Sequence, residues 1–283
     1  MRSGKRPDAG LVSEQVRAAL HEDVGSGDLT AGLLPAATQA RARLIVREPA
    51  VLCGVEWFNE VFHQLDPTIG LQWSAGDGDR VKAGQQVCEL HGAARPILSG
   101  ERVALNFLQT LSGTATTAAS YVEAVAGSGA TVLDTRKTIP GLRLAQKYAV
   151  SCGGASNHRT GLYDAILIKE NHIRAAGSIA AALDAARAAA NTDVMIEIEV
   201  ESLDELEQAL DAGAQRVLLD NFDLEALRQS VERNARLAEL EASGGVNLQT
   251  IGAIAATGVD YVSVGQLTKD LRAVDFSLLF SVD

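Results

Sequence analysis

A chain of 283 residues, 47% of them hydrophobic, can bury two modest cores or one large core with an extension. Its formal charge of −11 argues against a nucleic-acid surface, which needs an extended basic face for the phosphates. Three cysteines (Cys53, Cys88 and Cys152), an odd count with no C-x-x-C pair, indicate neither a disulfide framework nor a zinc knuckle.

The opening MRSGKRPDAG reads as a short disordered start, since no apolar stretch follows it. No apolar run is long enough to cross a bilayer, so the expectation is a reduced, soluble, cytoplasmic protein with no membrane partner. As far as about Gly113 the pattern is α+β. Helical spacing over Ser13–His21 gives way to strand-like alternation over Ala40–Val46 and Ala50–Gly54. Gly76–Leu90 has strand–turn–strand punctuation, similar to half of a biotinyl or lipoyl barrel but without the hairpin lysine that such carriers modify. Ile97–Val125 reads as one or two linking helices.

From about Thr131 short apolar strands alternate with Ala/Leu helices. Strands are predicted at Thr131–Asp134, Ala165–Lys169, Met195–Val200, Arg216–Asp220, Leu237–Ser243 and Tyr261–Gly265. Helices are predicted at Ser178–Ala190, Ser202–Ala212, Leu224–Asn234 and Leu248–Thr257, with Ser202 and Glu205 forming a capping box. Repeated strand–helix units with right-handed crossovers make a parallel sheet. The expected fold is therefore α/β: an open, TIM-like barrel of about seven strands behind an N-terminal α+β domain. The expected division is 1–113, 114–270 for the barrel, and a tail at 271–283 that packs back on the first domain. A doubly wound sheet is the alternative, but no G-x-G-x-x-G follows the first strand.

Polar residues recur at the C-terminal ends of these strands: Asp134 with Arg136 and Lys137, then Lys169, Glu199, Asp220, Ser243 and Gly265. In an α/β barrel those ends surround one pocket. Between Arg102 and Arg174 there are eight Lys/Arg against four acids, in a chain with 25 basic and 36 acidic side chains overall. A positive segment in an acidic chain points to a pocket for anions. Arg136 suits a planar carboxylate or phosphate, while Lys137 and Lys169 supply point charges. Arg143 and Lys147 suit a helix exterior equally well.

Alternation puts Glu197 and Glu199 on one face of their strand. Glu199 and Asp220 fit magnesium held by one or two carboxylates and substrate phosphates; ion pairs with Lys137 or Lys169 are the structural alternative. Glu197 reads as structural. The glycines of SGGV at Ser243 and SVGQ at Ser263 let backbone N–H groups approach an oxyanion, helped by a helix N-terminus from Leu248, or simply make strand-to-helix turns. A lysine ending a barrel strand also suits a Schiff-base aldolase, although two anionic groups explain so many cations better. A carrier or scaffold reading leaves the strand-end residues without a purpose.

The segments Glu22–Thr30 (EDVGSGDLT), Gly100–Thr116, Asp134–Arg143 (DTRKTIPGLR), Lys147–Val150, Asn157–His172 (NHRTGLYDAILIKENH), Ile196–Glu199, Leu219–Asn221 and Ser243–Gly245 together resemble quinolinate phosphoribosyltransferase. That family is also called nicotinate-nucleotide pyrophosphorylase (carboxylating), and the matching stretches span nearly the whole chain. The resemblance implies phosphoribosyl transfer from phosphoribosyl pyrophosphate to quinolinate with decarboxylation, giving nicotinate mononucleotide in de novo NAD biosynthesis. A relative acting on another pyridine or base is the near alternative.

It implies a homodimer with shared active sites, Arg102 reaching into the neighbour's. Quinolinate would lie among Arg102 of the neighbour, Arg136, His158, Arg159 and Lys169, with Thr135 a further substrate-binding residue. Phosphoribosyl pyrophosphate and Mg2+ would meet the catalytic residues Lys137, Lys169, Glu199 and Asp220, with the metal on Glu199 and Asp220. The 5′-phosphate would sit near Ser243, Gly244, Gly245, Val264, Gly265 and Gln266. The chain departs from the family pattern at Gly153–Ala155 (GGA) and at Thr268–Asp270 (TKD).

Overall fold

A computed structural model of the chain describes residues 6–190 and 194–282; the first half of the expected disordered start, residues 1–5, lies outside them. The chain divides into two compact units, one of residues 6–119, 144–154 and 271–282, the other of residues 120–143 and 155–270.

In the first unit, α1 (Ala9–Val24) begins where the Asp8 carboxylate accepts the Gly10 N–H at 2.8 Å, so it outruns the predicted Ser13–His21. There follow β1 (Gln39–Val46), β2 (Ala50–Val51), α2 (Val55–Leu65), β3 (Gly70–Trp73), β4 (Arg80–Val81), β5 (Gln86–Ala93) and α3 (Ala94–Ala124). In β1 the odd–even pattern decides the faces: Ala40, Ala42, Leu44 and Val46 are buried while Arg41 and Arg43 are exposed. It pairs antiparallel with β5 and with a strand at Phe276–Val282, placing Leu44 opposite both Cys88 and Leu278. Helix α2 is absent from the predicted elements. It buries Trp57, Phe58, Val61 and Phe62, and Trp73 meets Phe58 edge-on at 5.2 Å.

Helix α3 is one helix, and the domain boundary expected at 113/114 falls inside it. Gly113 suggests a break in sequence, yet it serves as a contact: a Cβ there would lie 2.3 Å from the Arg272 carbonyl oxygen. Beside it, buried Ser112 accepts the Cys53 N–H at 3.0 Å and donates to its carbonyl at 3.1 Å, capping the strand the chain has just left.

The second unit holds a parallel sheet. Its elements are β6 (Thr131–Leu133), then, past α4 (Arg143–Cys152, nearly all in the first unit), β7 (Ile166–Ile168), α5 (Glu170–Ala176), α6 (Ile179–Ala189), β8 (Ile196–Val200), α7 (Leu203–Asp211), β9 (Arg216–Asp220), α8 (Leu224–Asn234), β10 (Glu239–Ser243), α9 (Ile251–Ala255), β11 (Tyr261–Ser263) and α10 (Gln266–Lys269). The strand order is β6-β11-β10-β9-β8-β7, so the sheet has six strands rather than about seven. Its edges do not pair among the described residues. Where a seventh strand would stand, Ser156 makes a single parallel bridge to Leu133, its N–H reaching the Val132 carbonyl at 2.9 Å. The barrel is open.

One face of the sheet (Ile198, Val200, Val217, Leu219, Leu240, Ala242, Val262) is apolar and buried, with helices α6 and α7 packed on the strands. Local caps start the helices: Ser178 for α6, Ser202 for α7, Asp223 for α8. The predicted capping box is only half made, because the Glu205 carboxylate takes the N–H of Glu201 at 2.8 Å. Helix α9 starts three residues later than predicted. The Asn247 side chain accepts the N–H groups of Gln249 (2.9 Å) and Thr250 (3.1 Å) and holds a turn there instead. Among the described residues no helix is long and apolar enough to cross a membrane.

Candidate active site

The other face of the sheet carries alternate residues of four adjacent strands: Glu197 and Glu199 on β8, Arg216 and Asp220 on β9, Glu239, Glu241 and Ser243 on β10, Tyr261 and Ser263 on β11. Register sorts them into an upper tier at the C-terminal strand ends and a lower tier beneath, with Glu241 beside Tyr261 and Glu239 beside Arg216.

The upper tier is walled by the loop after β6. Thr135 Oγ1 accepts the Lys137 N–H at 3.0 Å, and Thr268 Oγ1 donates to the Lys137 carbonyl at 2.7 Å. The Lys137 side chain lies along Gly265, where a Cβ would come within 3.1 Å of its Cδ. Arg143 braces this loop, donating to Thr138 Oγ1 (3.2 Å), the Thr160 carbonyl (3.3 Å) and the Arg136 carbonyl (3.4 Å). It belongs neither to a ligand site nor to a bare helix exterior. Lys147, at 3% exposure, is buried within the first unit and is no exterior charge either.

Arg136 is the decisive residue. Its Nε is buried without a hydrogen-bond partner, and its guanidinium finds no acceptor among the described residues. Such a group costs free energy unless a ligand completes it. Arg159 stands close by: burial and the Arg136 charge pull its pKa down from the ordinary arginine value. Only its Nη1 is used, donating to the Ala165 carbonyl at 3.1 Å. Two guanidiniums held together with spare donors make a site for a dianion.

His158 stands differently from the expectation. Its backbone N–H donates to buried Asp134 (2.9 Å), which also accepts the Asn157 amide (2.7 Å). Its Nδ1 accepts the Arg159 N–H at 2.7 Å and its Nε2 meets Glu197 at 2.8 Å, so neither ring nitrogen is left for a ligand.

On the opposite wall Lys169, the residue before α5, is ion-paired with Glu199, and its own N–H is held by His172 Nδ1 at 2.9 Å. Asp220 accepts the Asn221 amide at 2.7 Å. Asn221 (φ +58°) donates its N–H to the Ser243 carbonyl at 2.9 Å, and a Cβ at Gly244 (φ +100°) would lie 2.2 Å from the Asn221 Oδ1. Only glycine fits there. Beyond it Gly245 opens onto space, with nothing within 4 Å of a Cβ. Of the expected phosphate ligands, the Val264 N–H goes to the Leu133 carbonyl at 2.9 Å, while Gln266 accepts from Tyr121 at 2.6 Å through Oε1, a bond that uses none of its donors. Lys269 is exposed and paired with Asp270 at 2.6 Å.

Glu199 and Asp220 offer a sparse all-oxygen donor set at the ends of neighbouring strands, as a hard divalent cation shared with substrate phosphates requires. A denser group lies below. His158, Glu197 and Glu241 bring ligand atoms within 4.8 Å of one another. Arg216 already fills it, donating from Nε to Glu197 at 3.1 Å and from Nη2 to Glu241, with the Tyr261 ring 4.0 Å from its guanidinium carbon. Burial outweighs the neighbouring cations at Glu241 and pushes its pKa up to about 7. At Glu197 burial is overcome by His158 and Arg216, which hold the carboxyl below its usual range. Burial likewise opposes charge on His158, but Glu197 and Glu241 raise its pKa.

Residues 28–112 match the family model of the quinolinate phosphoribosyl transferase N-terminal domain, and residues 114–279 match that of its C-terminal domain. The chain belongs to the quinolinate phosphoribosyltransferase family. It is 42% identical over 272 residues to the nicotinate-nucleotide pyrophosphorylase (carboxylating) of Mycobacterium leprae, covering 94% of this chain and 95% of the relative. It is 37% identical to quinolinate phosphoribosyltransferase (decarboxylating) 1b of Nicotiana tabacum, over 93% of this chain and 80% of that one. The solved nicotinate-nucleotide pyrophosphorylase of Francisella tularensis superposes with a TM-score of 0.96 at 46% identity, over 99% of both chains. Within this quinolinate phosphoribosyltransferase scaffold, Asn221 and Thr268 shape the site without having been candidates for it, and Asp134 and Arg143 do so as braces rather than ligands. The signal for them is faint, since a polar residue in a loop has many possible duties.

Proposed function

We propose that the upper tier binds quinolinate and phosphoribosyl pyrophosphate, and that the chain joins them with loss of carbon dioxide to give nicotinate mononucleotide for NAD biosynthesis. The observation that carries this reading is Arg136, a half-buried arginine whose buried Nε has no hydrogen-bond partner, beside a second arginine with donors to spare. Two adjacent carboxylates on a planar ring complete such a pair. Lys169, in reach of Glu199, stands at the junction of the two substrates. Lys137, free of internal acceptors among the described residues, and the backbone of Gly244 and of the open Gly245 receive phosphate oxygens.

The chain's own contribution is positioning and electrostatics. Arginines orient the dianion so that the pyridine nitrogen faces C1 of the ribose. The N–C1 bond forms as the C1–O bond to pyrophosphate breaks, the electron pair leaving on the oxygen, while the Glu199 or Asp220 carboxylate stabilises the oxocarbenium-like centre. The positive pyridinium nitrogen so formed stabilises the electron pair left on C2 as the bond to its carboxylate breaks and carbon dioxide departs, and C2 then takes up a proton from solvent. Magnesium, held by Glu199 and Asp220, would neutralise charge on the pyrophosphate.

In this reading Arg102, exposed on α3, serves the site of the neighbouring chain in a homodimer, and the protein works in the cytoplasm. An aldolase reading of Lys169 is disfavoured by its ion pair with Glu199, which occupies the nitrogen that would have to attack a carbonyl. The test is an assay of quinolinate against nicotinate with phosphoribosyl pyrophosphate and magnesium. Quinolinate alone should yield nicotinate mononucleotide with one carbon dioxide per turnover. Lys137→Ala should lower kcat/KM by about 10²-fold or more, and Arg102→Ala by a similar factor. Wild-type kcat/KM in both variants would defeat the site assignment.

A further inference from the structure

Barrel interiors are ordinarily filled by branched apolar side chains. Here the lower tier holds Glu197 and Glu241, both fully buried, with Arg216 at 5% exposure between them and Tyr261 stacked on the guanidinium. Buried charges of this kind are often replaceable by apolar groups at no loss of stability, so stability alone does not explain them.

The geometry does offer an explanation when it is followed upward. Arg216 grips both carboxylates, Glu197 through Nε at 3.1 Å and Glu241 through Nη2. That fixes Glu197, whose second oxygen faces His158 Nε2 at 2.8 Å. A carboxylate oxygen accepts, so Nε2 carries the proton. Nδ1 is then a lone pair, and it accepts the backbone N–H of Arg159 at 2.7 Å. The far end of Arg159 is tied to the Ala165 carbonyl at 3.1 Å, near enough to Arg136 for that charge to lower its pKa.

We propose that Glu197, Arg216 and Glu241 are positioning residues for the dicarboxylate: acting through His158, they hold its Nε2–H tautomer, which anchors the Arg159 backbone and sets the guanidinium beside Arg136. The inference rests on the reading of Arg136 and Arg159 as the quinolinate site. A ring protonated at Nδ1 would point an N–H at the Arg159 N–H across the same gap, and the arginine would have to move.

Glu197→Gln separates orientation from mere packing. The amide can still offer its oxygen to Arg216, but it then turns its NH2 to His158, which demands a lone pair on Nε2 and so the other tautomer. The expected result is a rise in KM for quinolinate of about 10- to 100-fold, with KM for phosphoribosyl pyrophosphate changed by less than about threefold. Nitrogen-15 NMR of the histidines, five in the chain, reads the tautomer directly. Wild-type His158 should be the neutral Nε2–H form, shifting toward Nδ1–H in E197Q. The wild-type spectrum decides even if the variant does not fold. An Nδ1–H ring in the active wild-type enzyme, or an E197Q enzyme whose two KM values stay put or rise together, would overturn the positioning network. Absence of turnover by the wild-type chain, with the Nε2–H tautomer present, would instead overturn the reaction assigned to the site.

Discussion

In the lower tier of the sheet Arg216 bonds Glu197 and Glu241 and Glu197 meets His158, with Glu241 Oε1 the one oxygen of these two carboxylates left without a hydrogen bond, whereas in the upper tier the side chains of Arg136 and Lys137 find no acceptor among the described residues. Both tiers crowd charge into a sheet interior, yet only the upper one is left with donors unspent. A charge satisfied from within is part of the scaffold; a charge held ready and unsatisfied is addressed to a ligand. His158 joins the two, with its ring in the lower tier and its effect, through the Arg159 N–H, in the upper.

The contrast breaks most visibly if one arginine is removed from each tier. Arg136→Ala takes away no internal hydrogen bond of the guanidinium, so the fold should keep its Tm within about 2 °C while kcat/KM for quinolinate falls about 10³-fold, equivalent to about 4 kcal/mol of transition-state binding. Steady-state kinetics beside a melting curve checks both halves. A large fall in Tm would make Arg136 a structural residue. Arg216→Met does the opposite: it leaves two buried carboxylates facing each other and should cost about 3 kcal/mol of stability, read as a lowered urea midpoint. An unchanged midpoint would mean that the lower tier is not held by its guanidinium.

The upper tier was legible in sequence because its cues are local. Apolar strands end in polar residues, and Ser178, Ser202 and Asp223 cap the helices that follow. The lower tier was not, since it depends on the register of four parallel strands. Arg216 looks like the first residue of a strand, and nothing near it in sequence announces Glu197, Glu241 or Tyr261 as partners. The available signal was the repeat of Glu197 and Glu199 by Glu239 and Glu241, carboxylates at strand spacing in strands read as buried. The misplaced start of α9 has a different cause. Leu248–Thr250 has no strong helix breaker, and the turn is decided by the Asn247 side chain competing for its N–H groups. Helix α2 went unpredicted although its buried face, Trp57 to Phe62, is the most aromatic in the chain; β-formers such as Trp, Phe and Val obscure helical spacing over so short a run.

The proton held in the lower tier sharpens the comparison further, with the smallest effect of the three because its loss leaves every packing contact in place. Two carboxylates, one guanidinium and one neutral imidazole balance when a single proton sits on Glu241. Burial keeps the Glu241 carboxyl protonated up to about 7, well above its ordinary range. An acid raised in this way binds more protons folded than unfolded between the ordinary carboxylate range and its folded pKa, so its contribution to stability is complete at low pH and is lost as pH rises through that window. His158, raised by Glu197 and Glu241 against the cost of burial, acts in the same direction. Glu197, held low, matters only when pH falls into the acid range, and there with the opposite sign. Tm should therefore decline as pH rises from about 5 to about 8. Glu241→Gln keeps the shape but has no proton to lose, and should flatten that decline. A slope that survives in E241Q would place the proton on His158, protonating Nδ1 and breaking the contact through which the lower tier governs Arg159.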